Sequence, residues 1–193
     1  MKSRMTSIIF LPIAAVLILG VAAVYAQESV KMTFSGTSEN SANNLQQPNT
    51  TMDEDSFAGT GAAGSFTLRL VRAISNNPSP PPNTCMGANE MYFTEPAGGG
   101  VFRFQDGSLL YVQLAQGSGD CIDFSANDAH CTLNLQITGG TGRFTNVSGT
   151  LTLTETVLPV LADALGNPVF FAATGKITGT VAGVSDGQSQ GEQ

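Results

Sequence analysis

From Cys131 to Thr138 the chain alternates strictly, with Leu133, Leu135 and Ile137 on one face and Thr132, Asn134, Gln136 and Thr138 on the other. A period of two belongs to a half-buried β-strand and cannot keep one face of a helix apolar. The same period runs through Phe66, Leu68 and Leu70, through Phe102 and Phe104, through Leu110, Val112 and Leu114, and through Leu151 and Leu153. Near the end of the chain Ile177 and Val181 stand among Thr178 and Thr180. Strands are expected near residues 30–36, 64–74, 90–95, 100–105, 108–115, 131–138, 141–146, 148–158 and 168–183. No segment carries an amphipathic helical pattern, and Leu158 to Leu165 reads as at most one short turn closed by Gly166, Asn167 and Pro168. The expected class is all-β.

Composition narrows the partners. The 193 residues carry fifteen Asp and Glu against eight Lys and Arg, a net charge of −7. A polyphosphate would be repelled, so no nucleic-acid partner is expected. With 41% hydrophobic residues, 12% charged residues and 22 glycines, the chain is too apolar for an acidic disordered protein and too glycine-rich for a helical bundle.

The first residues read as an export signal. Lys2 and Arg4 precede the uncharged apolar run Ile8 to Val24, and Val24, Tyr25 and Ala26 offer a cleavage site before Gln27. The run is 17 residues long, short of the ~20 that span a bilayer. Cleavage after Ala26 gives a secreted or periplasmic protein with no stable membrane span. One domain is then expected over residues 27–184, with a polar loop at 37–64, a proline-rich loop at 76–84 and a disordered tail at 185–193. The loop at 37–64 includes the acidic run Asp53, Glu54 and Asp55, and order is expected to resume near Phe57. Asp106 and Gly107 signal a hairpin between Phe104 and Leu109.

Three cysteines, Cys85, Cys121 and Cys131, suit one disulfide and one free thiol in an oxidising compartment. Cys121 with Cys131 is the expected pair, because the residues between them look like a loop. A bridge from Cys85 is the alternative. The chain-entropy gain, roughly 3 kcal/mol for the short closure and about 1 kcal/mol more for the longer ones, does not choose between them.

A short phrase, apolar then small then Gly then Thr, recurs at Phe34, Phe57, Val147 and Ile177. Its unequal spacing excludes a solenoid and suits glycine kinks where a sheet coils and closes. Gly139, Gly140, Thr141, Gly142, Arg143 and Phe144, followed by Gly149 and the alternating Thr150 to Thr154, resemble the hairpin of the allene oxide cyclase and dirigent-like barrels, above all in small secreted bacterial proteins. The resemblance implies a single antiparallel, eight-stranded closed β-barrel in which Gly139, Gly140 and Gly142 form the turn, Phe144 plugs the interior and Gly149 relieves crowding. The polar groups with which those proteins steer a reactive intermediate have no residue-by-residue match here, so no activity is carried over.

Groups able to do chemistry are few. Asp120, Cys121, Asp123, Asp128, His130 and Cys131 are ligand types, but their spacing matches no zinc or calcium pattern, and no metal or cofactor is expected. His130 is the only imidazole and no G-x-S-x-G elbow occurs. Carboxylate pairs can be drawn from Glu90, Glu95, Asp106 and Glu155. Tyr92, Phe93, Phe102, Phe104, Tyr111, Phe144, Phe170 and Phe171 suffice to line a cavity or to fill it. Asn49 and Asn146 head glycosylation sequons. The expected function is a non-catalytic secreted barrel binding a small apolar ligand or an extracellular partner. The alternative is an isomerase-like, cyclase-like or dirigent-like protein that steers a reactive molecule in its cavity.

Overall fold

The computed structural model describes residues 27–42, 45–83, 85 and 87–185. The expected leader 1–26, and the expected tail beyond Ser185, lie outside them. Eleven strands follow in chain order: β1 (Gln27–Asn40), β2 (Thr50–Gly61), β3 (Phe66–Ser75), β4 (Pro78–Ser79), β5 (Glu90–Thr94), β6 (Ala97–Phe104), β7 (Leu109–Leu114), β8 (Gly119–Asp123), β9 (Asp128–Gly140), β10 (Ser148–Ala162) and β11 (Pro168–Ala182). Among the described residues there is no α-helix, only one turn of 3-10 helix at Gly142–Phe144.

Eight strands close an antiparallel barrel in the order β1, β2, β3, β6, β7, β9, β10, β11, and β11 returns to β1. Closure removes the open edges that a flat sheet exposes. β9 is the branch point. Along one edge, its residues Asp128 to Thr132 pair with β8 and Leu135 to Gly140 pair with β7, while its other edge pairs with β10. β8, β5 and the two-residue β4 therefore form a flap outside the ring. At the split the Ser118 hydroxyl stands in for a missing ladder rung, accepting from the Asn134 amide at 2.9 Å and lying 2.9 Å from the Ala115 carbonyl.

The recurring phrase has two structural meanings. Phe34 lies opposite Gly175, Phe57 opposite Gly36 and Phe66 opposite Gly59, so three successive strand pairs each set a phenyl ring over a glycine. A Cβ on any of those glycines would collide with that ring and with backbone, so this packing needs glycine. Gly149 and Gly179 have φ of +147° and +150° instead, a conformation that side chains rarely adopt. Inside the ring Leu68, Phe102, Leu133, Leu153 and Ile177 are fully buried. Phe34 and Phe57 pack tilted, 4.7 Å between ring centres, and Phe144 closes one end against Phe104 at 4.8 Å. The interior is packed by side chains, as a ring of eight strands permits.

Several expectations need correction. The segment 141–146 is not a strand, because Gly142 at φ +60° turns the chain and Thr141 accepts the Phe144 amide. The loop expected over 37–64 shrinks: β1 runs to Asn40 and β2 starts at Thr50, since Asp53 and Asp55 face inward. Asp120 to Asp123 form β8 rather than loop, and Leu158 to Ala162 continue β10. Within the proline-rich loop, Pro78 and Ser79 pair with β5 at the flap's outer edge, where a missing N–H costs little.

The disulfide joins Cys85 to Cys121, with Cα atoms 5.4 Å apart, and Cys131 is a buried free thiol. Register explains the failure of the expected pair. Cys131 sits opposite Asp120, and Cys121 opposite His130, so adjacent strands hold the two sulfurs on opposite faces. Non-reducing peptide mapping is expected to recover a Cys85 to Cys121 link, with Cys131 alkylated only after unfolding. Recovery of a Cys121 to Cys131 peptide contradicts this arrangement.

Candidate functional site

Four of the apolar rows inside the barrel reach a buried polar residue. In β3 the row Phe66, Leu68 and Leu70 continues to Arg72; in β10 Leu151 and Leu153 continue to Glu155; in β1 Phe34 gives way to Ser38; and in β2 Phe57 gives way to Asp55. The flap contributes Asp120 from β8 and Glu95 from the β5–β6 junction. Period-two alternation thus delivers one guanidinium and several carboxyls to one layer.

Arg72 is the hub. Its Nε lies 2.9 Å from Asp55 Oδ2, its Nη1 lies 2.7 Å from Glu95 Oε1 and 3.3 Å from Asp120 Oδ1, and its Nη2 lies 3.3 Å from Glu155 Oε1. These five side chains are 0–4% exposed. Asp53 lies directly across the β2–β3 ladder from Arg72, and Cys131 lies between Asp120 and Glu155 on the neighbouring strands. Asp53 Oδ1 and Glu95 Oε2 are buried without a hydrogen-bond partner.

One cation facing five carboxyls cannot be buried with all five ionised, because each unpaired charge out of water costs several kcal/mol. The group holds protons instead. Burial pushes Asp53 from 3.8 up to about 7, with Arg72 pulling the other way. The same balance raises Glu155 from 4.5 to about 8, and it moves Asp55 and Glu95 upward too. Burial opposes the charge on Arg72, but the surrounding acids outweigh it and raise its pKa. The Cys131 thiol is also pushed up by burial and stays protonated.

The carboxyls named in the sequence fall in different places. Glu95 and Glu155 meet at Arg72, whereas Asp106 pairs with Arg143 at 3.1 Å and Glu90 accepts the Gly87 amide at 2.7 Å. Asp120 and Cys131 face inward, while Asp123 caps the β8–β9 turn through Ser125 and Ala126. His130 is exposed beside Thr156. Cys85, Glu90 and Cys121 do converge, but the two sulfurs are bonded to each other and are no longer thiolate ligands. Gly139, Gly140, Thr141 and Gly142 lie at the end of β9 and the turn after it, where Thr141 Oγ1 accepts the Leu109 amide at 3.2 Å. Arg72, Asp53 and Asp55 were missed, although one more step of the alternation through Phe66, Leu68 and Leu70 reaches Arg72.

Among the recesses of the described residues, two lie at the ends of this filled interior and are lined mainly by apolar side chains. At the mouth plugged by Phe144, a partly enclosed cavity of about 70 Å³ lies among Val30, Phe104, Phe144 and Val181 under Arg143. At the opposite end a groove of about 280 Å³ runs between Ile122, Phe124, Val157, Pro159, Pro168 and Phe171. Its wall residue Val157 follows Glu155 on the same face of β10. No protein-family model and no curated protein matches the chain.

Raised carboxyls link stability to pH. The folded chain keeps protons up to about pH 7 or 8 that the unfolded chain releases near pH 4, so the fold binds more protons in that window. The cluster's contribution is complete below the window and falls as pH rises through it. The thermal midpoint should therefore be higher at about pH 5 than at about pH 8.5. Glu155→Gln, a neutral isostere, is expected to raise the midpoint at the alkaline end and flatten the profile. Arg72→Leu should cost about 3–5 kcal/mol by leaving the ionised partners uncompensated. A Glu155→Gln profile as steep as wild type contradicts the assignment.

Proposed function

We propose that the protein is a secreted, non-catalytic β-barrel of the allene oxide cyclase-like and dirigent-like type that binds a small apolar ligand outside its ring, in the groove between Phe124 and Phe171. The groove carries the proposal. It is lined mainly by apolar side chains with Asp123, Asn127 and Asp128 at its edge, the pattern of a site that takes apolar groups and orients them with a few polar ones. At about 280 Å³ it sits just below the ~300 Å³ of the smallest common ligand pockets. The mouth cavity offers far less room.

Support for secretion comes from the basic and apolar leader and from the Cys85–Cys121 bridge. Support for the family comes from the closed eight-stranded ring, the buried Phe144 and the positive φ at Gly142 and Gly149. The alternative, a barrel that steers a reactive molecule inside, draws on the proton-bearing carboxyls around Arg72. Those groups are buried, with side chains 0–4% exposed, and a general acid has to touch what it protonates.

Titration with the neutral dye Nile red is expected to show saturable binding to the mature protein. Phe124→Ser, at a position 65% exposed, should weaken it at least about tenfold, as loss of most of one apolar contact implies. Saturable binding unaffected by this change, or no binding, sinks the proposal.

A further inference from the structure

Beyond the groove, the end of the β10–β11 hairpin stands apart from the barrel. The last rung between β9 and β10 is Ala129 with Val157, and the last between β1 and β11 is Glu39 with Phe170. From Leu158 to Val169 the hairpin pairs only with itself. Its exposed side chains are unusually apolar: Leu158 is 51% exposed, Val160 62%, Leu161 60% and Leu165, at the tip, 87%. Phe124, on the adjacent β8–β9 turn, is 65% exposed. From Val157 to Gly175 the sequence holds one charge, Asp163. Contiguous exposed apolar surface of this kind marks an interaction site.

We propose that this hairpin docks the protein on an electrically neutral lipid surface, at the depth of the headgroup boundary. Three features select lipid over a second copy or a peptide. First, the apolar residues occupy both faces and the tip, since Leu158 alternates with the groove-lining Val157 and Pro159. A protein partner covers one face of a hairpin, whereas a lipid surface surrounds the tip. Second, the free edge is unfit for sheet extension: Pro159 has no N–H, and the register slips between Pro159 and Ala162, devices that stop strand pairing between copies. Third, the one charge is already solvated by the chain. Asp163 Oδ1 accepts the Leu165 and Asn167 amides at 2.8 and 2.9 Å, and Oδ2 accepts Asn167 Nδ2 at 3.1 Å.

The lack of Lys and Arg from Val157 to Gly175, at the free end of the hairpin, in a chain of net charge −7, favours zwitterionic over anionic headgroups. The unpaired strand edges keep the hairpin out of the hydrocarbon centre, where open backbone groups are not tolerated. Docking therefore differs from spanning, in keeping with a chain in which no described helix is long and apolar enough to cross a membrane. The proposal rests on the hairpin's geometry alone and stands whether or not the groove takes a ligand.

The chain has no tryptophan, so Leu165→Trp in the mature protein places a single reporter at the tip. With phosphatidylcholine vesicles its emission is expected to shift to the blue and to be quenched by lipids brominated high on the acyl chain. Flotation of the otherwise unaltered protein with the same vesicles should be lost in Leu161→Asp and in Leu165→Asp, both at exposed positions where folding is unaffected. Three results overturn the proposal: no blue shift and no flotation; flotation only with phosphatidylserine-containing vesicles in a salt-sensitive way; or a concentration-dependent dimer abolished by Leu165→Asp while vesicles are ignored.

Discussion

The guanidinium of Arg72 cannot be left dry and alone. An arginine at 2% side-chain exposure has to bring its own counter-charges, and the chain supplies them from four separate segments. Asp55 arrives with β2, Glu155 with β10, Asp120 with β8 and Glu95 with the junction into β6. Because those segments are far apart in sequence, the ion cluster is satisfied only when the ring is closed and the flap is down. A misregistered β2 or β8 would strand a charge in an apolar core, so the cluster penalises wrong pairings more than it rewards the right one. The surplus of acids over bases is what makes it titrate.

The remaining architecture is arranged around that constraint. Apolar packing fills the rest of the barrel, and phenyl rings lie over Gly36, Gly59 and Gly175. At the Arg72 end the sheet splits at β9, and the flap covers the charges, with Tyr92 buried and its hydroxyl 3.3 Å from the Ser118 carbonyl. Burial raises the Tyr92 pKa, so this cover stays neutral. The Cys85–Cys121 bridge ties the loop before β5 to β8. With most of the interior filled by side chains, the apolar groove and the exposed apolar hairpin end both lie outside the ring.

Much of the barrel was legible in the sequence, because alternation of Leu and Thr in β9 and β10 is the mark of half-buried strands, although β9 runs on through Gly139 and Gly140, which were expected in the turn. The charged layer was not. Asp53, Glu54 and Asp55 beside Asn and Ser read as solvated loop, since local composition carries no sign that a buried arginine awaits two of them. β8 was hidden for the same reason, with Asp120 and Asp123 at a strand's inner and outer faces. The cysteine pairing failed on register: one residue of offset between β8 and β9 sends Cys121 and Cys131 to opposite faces, and spacing along the chain does not contain that offset. Glu95 and Glu155 were noticed as carboxyls, but their meeting across a closed ring is a property of topology.

The most direct measurement is the pH titration of side-chain carboxyl carbons by NMR on the folded protein. The account predicts that Asp53 and Glu155 keep their protons well past the usual carboxylate range and titrate at about 7 and about 8. If every Asp and Glu carboxyl titrates in the ordinary range near pH 4, the buried proton-holding cluster around Arg72 does not exist as described.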